Sequence, residues 1–345
     1  MTIRNPRHTF CGETVGLPIC GKPRVSFLFI GVIGDGNPLR LFAEILTVRL
    51  KGVNLRMKFS DRLSLFGSQA ASSAKSLIKV ALQSRGAHIS RAKTAAEGKA
   101  LIIMGNGPSL ADVIARHGQQ LSQSVTMALN FAANAEEFET LRPDFYLMAD
   151  PHFFTGRASD PNVERLYSRL NSTVDWPMTL YVPSGHTAKN LGIDNRNIRV
   201  ETFNFVGAEG FGWLTRFLYS HGLAMPRPRN VLVPAIMTAM NAGFREIYLT
   251  GADHGWLNTL SVSDNNEVVS IQPHFYKDNA EEKKRVASVY RDVRLHDILL
   301  SFHLAFKSYH ALEEYARGNG CHIYNSTPGS FIDAFERRQL PLENA

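Results

Sequence analysis

A succession of short, largely apolar runs, several of them closing on a glycine or a small polar residue, limits the fold of this chain more than any other feature. Ala100–Met104 ends at Gly105, Val125–Leu129 at Asn130, and Glu246–Thr250 at Gly251. Asp144–Ala149, Met178–Val182, Ile198–Phe203 and His322–Asn325 have the same character. Between them lie segments whose apolar residues recur at helical spacing: Ser109–His117, Asn162–Leu170, Gly212–Ser220, Val231–Ala242 and the long Leu295–Ala316. Strands that are apolar throughout are buried on both faces, and strands that alternate with helices run parallel. The pattern predicts an α/β domain over residues 96–340, a mostly parallel sheet with helices on both faces.

Residues 1–95 differ in kind. They hold 15 Lys+Arg against 4 Asp+Glu, a net +11, whereas residues 96–345 hold 23 against 27, a net −4. The chain's overall +7 therefore belongs to a basic N-terminal extension, and the mildly acidic remainder argues against a nucleic-acid groove in the main domain. Residues 1–38 are rich in Gly and Pro without sustained periodicity, and Met57 offers an alternative start. Residues 39–51 and 60–85 have helical periodicity. In the second, Leu63, Phe66, Ala70, Ala74, Leu77, Ile78 and Ala81 form a stripe, with Lys75, Lys79 and Arg85 beside it. Such a helix packs its stripe on the main domain or lies on an anionic membrane surface, so peripheral membrane contact through residues 39–93 stays open. No run approaches the ~18–20 apolar residues of a membrane span. The three cysteines, Cys11, Cys20 and Cys321, form no CxxC pair, which fits a reducing compartment; a cytoplasmic location is expected, with a peripheral place on the inner membrane face as the alternative.

The strongest local signal is Gly105-Asn106-Gly107-Pro108-Ser109, between the first strand and a helix. Glycines let a backbone approach a ligand closely, Pro108 gives up an N–H that a first helical turn does not need, and Ser109 can cap the helix or bond a phosphate oxygen. Free N–H groups and the helix dipole then favour an anion. The loop is neither G-x-G-x-x-G, since position 110 is Leu, nor a Walker loop, since no Lys-Ser/Thr follows. A plain tight turn is the competing reading. Asn130, Asp150-Pro151-His152 and Gly251-Ala252-Asp253-His254 stand at other strand ends, where polar groups converge on a ligand or cap helices.

These residues resemble a known group. The loop, Asn130, Asp150-Pro151 and the run Ala242–Asp253 are similar to the bacterial family-42 sialyltransferases and to the MptE-like domain family, named for an archaeal 6-hydroxymethylpterin pyrophosphokinase and including flagellin glycosylation factors. Ile323–Ser330 resembles the last strand and loop of the MptE-like domain. The resemblance covers residues 97–335 and implies a Rossmann-like domain that binds a nucleotide. By it, Asn106, Ser109 and Asn130 contact the nucleotide, and Asp150 stands where the sialyltransferases carry Asn. Their base is a histidine, whose place by count from the last strand falls near His303. Their phosphate-binding tyrosines have no clear counterpart, Tyr276 being the nearest.

The polar, aperiodic segment 256–287 reads as a lid, with His274 and Tyr276 in it and His254 just before it. A histidine near its unperturbed pKa suits proton removal at neutral pH. His296, His303 and His310 recur every seven residues, roughly 10 Å apart along a helix, too far to share one metal ion.

The expectation is a glycosyltransferase using a nucleotide sugar, of the CMP-linked nine-carbon acidic kind, on a glycan or lipid-linked acceptor of the bacterial surface. Gly105, Asn106, Gly107, Ser109, Asn130, Asp150, Gly251, Asp253 and Tyr276 would bind the nucleotide, and His303, His254 or His274 would supply the base. That reading needs no cofactor or metal. Two others stay open: a pyrophosphokinase in which Asp150 and Asp253 hold Mg²⁺ on ATP, and a nucleotide-binding protein without turnover.

Overall fold

A computed structural model describes residues 59–155, 159–269 and 293–342. The chain divides into two compact units, Met1–Ser64 and Leu65–Ala345. Of the first, only the opening turns of helix α1 (Phe59–Gln83) are described.

The second unit is built on an eight-stranded sheet. Its strands are β1 (Leu101–Met104), β2 (Thr126–Leu129), β3 (Phe145–Leu147), β4 (Met178–Pro183), β5 (Ile198–Phe203), β6 (Glu246–Thr250), β9 (His322–Asn325) and β10 (Glu336–Arg337). They lie in the order β10-β9-β6-β1-β2-β3-β4-β5, every pair parallel. A separate antiparallel ribbon pairs β7 (Ser261–Val262) with β8 (Val268–Val269). The α/β, Rossmann-like architecture is the one the apolar runs predict; β10, only two residues long, carries no such signal.

The longer helices of this unit, after α1, are α2 (Ser109–Gln123), α3 (Pro161–Thr173), α4 (Gly212–Ser220), α5 (Leu232–Asn241) and α6 (Leu295–Gly318). Alternation along the strands splits the core in two. Leu101 and Ile103 of β1 join α5 and α6 on one face, and Ile102 and Met104 join α2 and α3 on the other. Each fully buried aliphatic side chain contributes about 1.5–3 kcal/mol. Helix α5, buried from Leu232 to Met240, is therefore the heaviest single contributor on its face. Starts and joints are set locally. Asp160 caps α3, its Oδ1 accepting from Asn162 N at 2.8 Å, with Pro161 in the first turn. Asp144, held above the ordinary carboxylate range by burial, accepts from Thr126 N at 3.0 Å and fixes the start of β2.

Helix α1 packs the other way round from the expected register. Ser73 and Ser76 are buried, while Leu77, Ile78 and Leu82 are exposed. Phe211 N donates to Ser73 Oγ at 2.9 Å; Glu209 N donates to Ser76 Oγ at 2.9 Å, and that hydroxyl donates to Glu209 O at 2.8 Å. Gly210, with φ +127°, brings the backbone so close that a Cβ there would sit 2.2 Å from Ser73 Oγ. Only small side chains fit that approach, so the serines are drawn in and the apolar stripe is turned out. Among the described residues no helix is long and apolar enough to cross a membrane.

Candidate functional site

The carboxyl ends of β1, β2, β3 and β6 open into a cavity of about 800 Å³. The chain leaves β1 towards β2 on one side and returns to β6 on the other, so this is the switch point where open α/β sheets hold ligands. Gly105, Asn106, Gly107, Asn130, Asp150, Gly251, Asp253 and His254 all line it.

The glycine loop is not the phosphate cradle its sequence suggests. Gly105 N donates to Thr250 O at 2.7 Å and Gly107 N to Gly251 O at 2.8 Å. Ser109 donates twice to Asp253, from N to Oδ1 at 3.3 Å and from Oγ to Oδ2 at 2.8 Å. The anion at the N-terminus of α2 is thus the protein's own carboxylate. The glycines answer to the same packing. A Cβ on Gly105 would lie 2.5 Å from Gly251 O, and one on Gly107 would lie 2.0 Å from Asp253 Oδ2. Gly251, with φ +64°, would meet Gly105 O at 2.5 Å. Two strand-end loops are pressed backbone to backbone, and most of the N–H groups expected to face a ligand are consumed. Ser109 itself is absent from the cavity wall.

What the loop does offer is Asn106. Its Nδ2 donates to Leu129 O at 3.1 Å, which fixes the amide, and its Oδ1 is buried without a partner. Asn130 holds the next strand ends together. Its backbone is left-handed (φ 50°), its Oδ1 accepts from Ala149 N at 3.3 Å, and its carbonyl accepts from the Tyr146 hydroxyl. Asp150 accepts from His152 N through Oδ1 at 2.9 Å, and among the described residues its other oxygen has no partner.

His254 is buried behind the loop in a chain of hydrogen bonds. Asn230 Oδ1 accepts from Leu232 N at 3.0 Å and from the Tyr309 hydroxyl at 2.9 Å. Because that hydroxyl's proton goes to Asn230, His254 Nε2, 2.5 Å from Tyr309 Oη, must be the donor in the other bond. Burial pushes the His254 ring down to about 3. A ring kept neutral with Nε2 committed suits orienting its neighbours, Trp256 at 4.1 Å among them, rather than taking a proton. His303 is exposed on α6 and is not part of the cavity wall. Ser301 of the same helix does line the cavity, and two residues on an α-helix point roughly 200° apart. His296 and His310 pair with Asp297 at 3.4 Å and Asp333 at 3.2 Å. His274, Tyr276 and most of the expected lid, 270–287, lie outside the described residues; its start forms a short 3-10 turn, Gly255–Thr259, and the β7–β8 ribbon.

Several cavity residues escaped the sequence reading. Arg229 and Asn230 sit just before α5, and Arg229 has no carboxylate partner among the described residues. Asn230 Nδ2 is buried without an acceptor. Phe131, Trp256 and Phe331 supply aromatic wall. The available signal was Pro226-Arg227-Pro228-Arg229-Asn230, a proline-punctuated basic stretch with Asn at a helix start. Among the described residues, no three His, Cys, Asp or Glu side chains are grouped to hold a metal ion.

No family model matches the sequence, and no curated protein does. Among solved structures, the fold aligns with the MAf glycosyltransferase from Magnetospirillum magneticum AMB-1, over 74% of this chain and 34% of that one, at 14% identity and a TM-score of 0.42. The chain covers only the smaller part of that enzyme's length.

Proposed function

We propose that this chain is a glycosyltransferase whose donor is a nucleotide sugar of the CMP-linked acidic kind, bound in the cavity at the ends of β1, β2, β3 and β6. The observation that carries the reading is a pair of buried side-chain atoms without partners among the described residues, the acceptor Asn106 Oδ1 and the donor Asn230 Nδ2, on two residues that line this cavity together with the cation Arg229. A buried polar group without a partner costs about 1–3 kcal/mol, which a ligand carrying both hydroxyls and acceptors recovers. Ligand pockets of roughly 300–1,000 Å³ hold molecules of this size, and the aromatic wall suits a base or a sugar face. The motif resemblance to the family-42 sialyltransferases and the MptE-like domains points the same way.

In such a transfer the acceptor hydroxyl gives its proton to a base and its oxygen bonds the anomeric carbon. The bond from that carbon to the phosphate oxygen breaks, and the electron pair leaves with the nucleotide phosphate. Arg229, which lines the cavity, would stabilise that developing charge. Asp150, with one oxygen free of partners among the described residues, is the cavity group suited to receive the proton. His254 then acts through Tyr309 and Asn230 as a positioning residue. The pyrophosphokinase alternative asks Asp150 and Asp253 to share Mg²⁺, but both oxygens of Asp253 are engaged by Ser109. A lining with one arginine and two aspartates also suits a phosphodiester better than a triphosphate.

The test is a thermal-shift panel with CMP, CDP, UDP, GDP and ATP, each with and without Mg²⁺. A ligand at 100 times its dissociation constant stabilises by about 2.7 kcal/mol. The expected result is a metal-independent shift with CMP that is lost in Asn106→Ala and Arg229→Ala, both melting near wild type without ligand. A shift with ATP and Mg²⁺ alone makes the protein a kinase instead, and no shift with any nucleotide overturns the assignment of the cavity. CMP binding without release of CMP from a CMP-linked sugar in the presence of acceptor glycans reduces the function to binding.

A further inference from the structure

The inverted helix α1 leaves an apolar stripe facing outward. Ala74, Ile78 and Leu82 are four apart and so share one row of the helix, with Ala71 one turn earlier. Ile78 and Leu82 are 60% and 78% exposed. An isolated exposed leucine has no meaning, but a row of apolar residues on a helix whose buried face is serine reverses the usual arrangement. Its polar contacts to the 209–211 backbone hold the helix in this register, so the exposure is built into the fold.

Over residues 65–96 the charge is of one sign, while two acids from elsewhere in the chain, Glu209 and Glu314, lie with Leu65, Ser68, Gln69 and Ser72. Lys75 and Lys79 form the adjacent row, and Arg85, Arg91 and Lys93 follow. Residues 65–96 contain these five cations and no Asp or Glu. An apolar row flanked by lysines without a compensating acid matches a surface that is anionic at its edge and apolar beneath. A second copy of the chain matches it poorly, since two such helices packed stripe to stripe bring the lysine rows together.

We propose that the outward face of α1, with Ile78 and Leu82 entering the acyl boundary and Lys75 and Lys79 on the headgroups, docks this protein on an anionic lipid surface. The inference does not depend on the reading of the cavity, and its test measures neither nucleotide binding nor transfer.

The full-length protein is sedimented with phosphatidylcholine vesicles and with vesicles containing phosphatidylglycerol. The proposal expects binding to the anionic vesicles only, weakened by added salt. Each lysine near such a surface contributes about a fivefold factor in partitioning, so Lys75→Gln/Lys79→Gln should lose roughly 25-fold. Ile78→Ser/Leu82→Ser should lose at least as much while melting at the wild-type temperature, because both side chains are exposed. Either double variant binding anionic vesicles as wild type does overturns the proposal, even where the basic residues before the helix hold the chain to lipid. So does wild type that binds no vesicle. Wild type that sediments as a dimer in the ultracentrifuge, with Ile78→Ser/Leu82→Ser a monomer and neither bound to vesicles, assigns the face to a second copy.

Discussion

Gly107→Ala separates two explanations of the glycine loop that its sequence leaves open. If the glycine exists for ligand approach, the variant folds normally and binds badly. The structure says otherwise. The added Cβ would lie 2.0 Å from Asp253 Oδ2 and 2.7 Å from Gly251 O, with only the carboxylate free to move. Overpacking of that kind costs about 1–3 kcal/mol. Moving Asp253 also breaks its two bonds to Ser109, at 2.8 and 3.3 Å, and uncaps α2. That loss adds about 1 kcal/mol. The sum, about 2–4 kcal/mol, lowers the melting temperature by roughly 4–8 °C at ~2 °C per kcal/mol for a domain of this size. The assay is thermal unfolding followed by circular dichroism without ligand. Gly118→Ala in the same helix is the control: the nearest atom to the new Cβ, Ile114 Cγ2 one turn earlier, would be 3.7 Å away. That change should be neutral or stabilise by up to about 1 kcal/mol. A Gly107→Ala protein that melts with the wild type refutes the loop-on-loop explanation and returns the glycine to the ligand.

Two further outcomes follow from the buried chain behind the cavity. Tyr309→Phe keeps the ring against Phe335, at 5.7 Å, but leaves the His254 Nε2–H buried without an acceptor. It should cost about 1–3 kcal/mol in urea unfolding, and an unchanged midpoint would mean that the His254 tautomer is not the one assigned. His254 also makes stability pH-dependent. Its ring ordinarily titrates at 6.5 and is pushed down to about 3 by burial, so the unfolded chain binds a proton below 6.5 that the native state refuses. Its contribution is full above pH 6.5 and declines as pH falls towards 3, by up to about 1.4 kcal/mol per pH unit. His254→Gln does not titrate and should flatten the melting profile between pH 4 and 6.5; parallel profiles for the two proteins would show that His254 is not the responsible group.

The sheet was legible because burial on two faces writes itself as uninterrupted apolar runs. Leu101–Met104 and Ile247–Leu249 are such runs, and pairing Leu101 with Ile247 through Met104 with Thr250 places the two polar strand ends side by side. Boundaries were less legible where one residue served two elements. Helix α2 was expected to stop at His117, before Gly118, whereas it bends there, at φ −135° and ψ 19°, and runs on to Gln123. The cavity was half legible. Asn106, Asn130, Asp150 and Asp253 stand at strand ends and could be named, but Arg229 and Asn230 enter from the start of α5, which sequence places nowhere near β1.

The two features that sequence left open share a cause. The anion-site reading of the Gly105–Ser109 loop, with a plain turn as its alternative, and the packed-stripe reading of α1, with a membrane surface as its alternative, each judged a segment by what it offers alone. In the fold each meets a backbone from far along the chain: Gly251–Asp253 in one case, Glu209–Phe211 in the other. In both, the contact is close enough that a Cβ on Gly107 or Gly210 would overlap an oxygen. Pressing backbone against backbone consumes the polar groups nearest the contact, Ser109 and Asp253 or Ser73 and Ser76. It leaves for other partners whatever lies one residue or half a turn away. Asn106 Oδ1 and the Ile78–Leu82 row are those remainders, and for that reason they, rather than the motif residues themselves, are where a ligand and a lipid surface are to be sought.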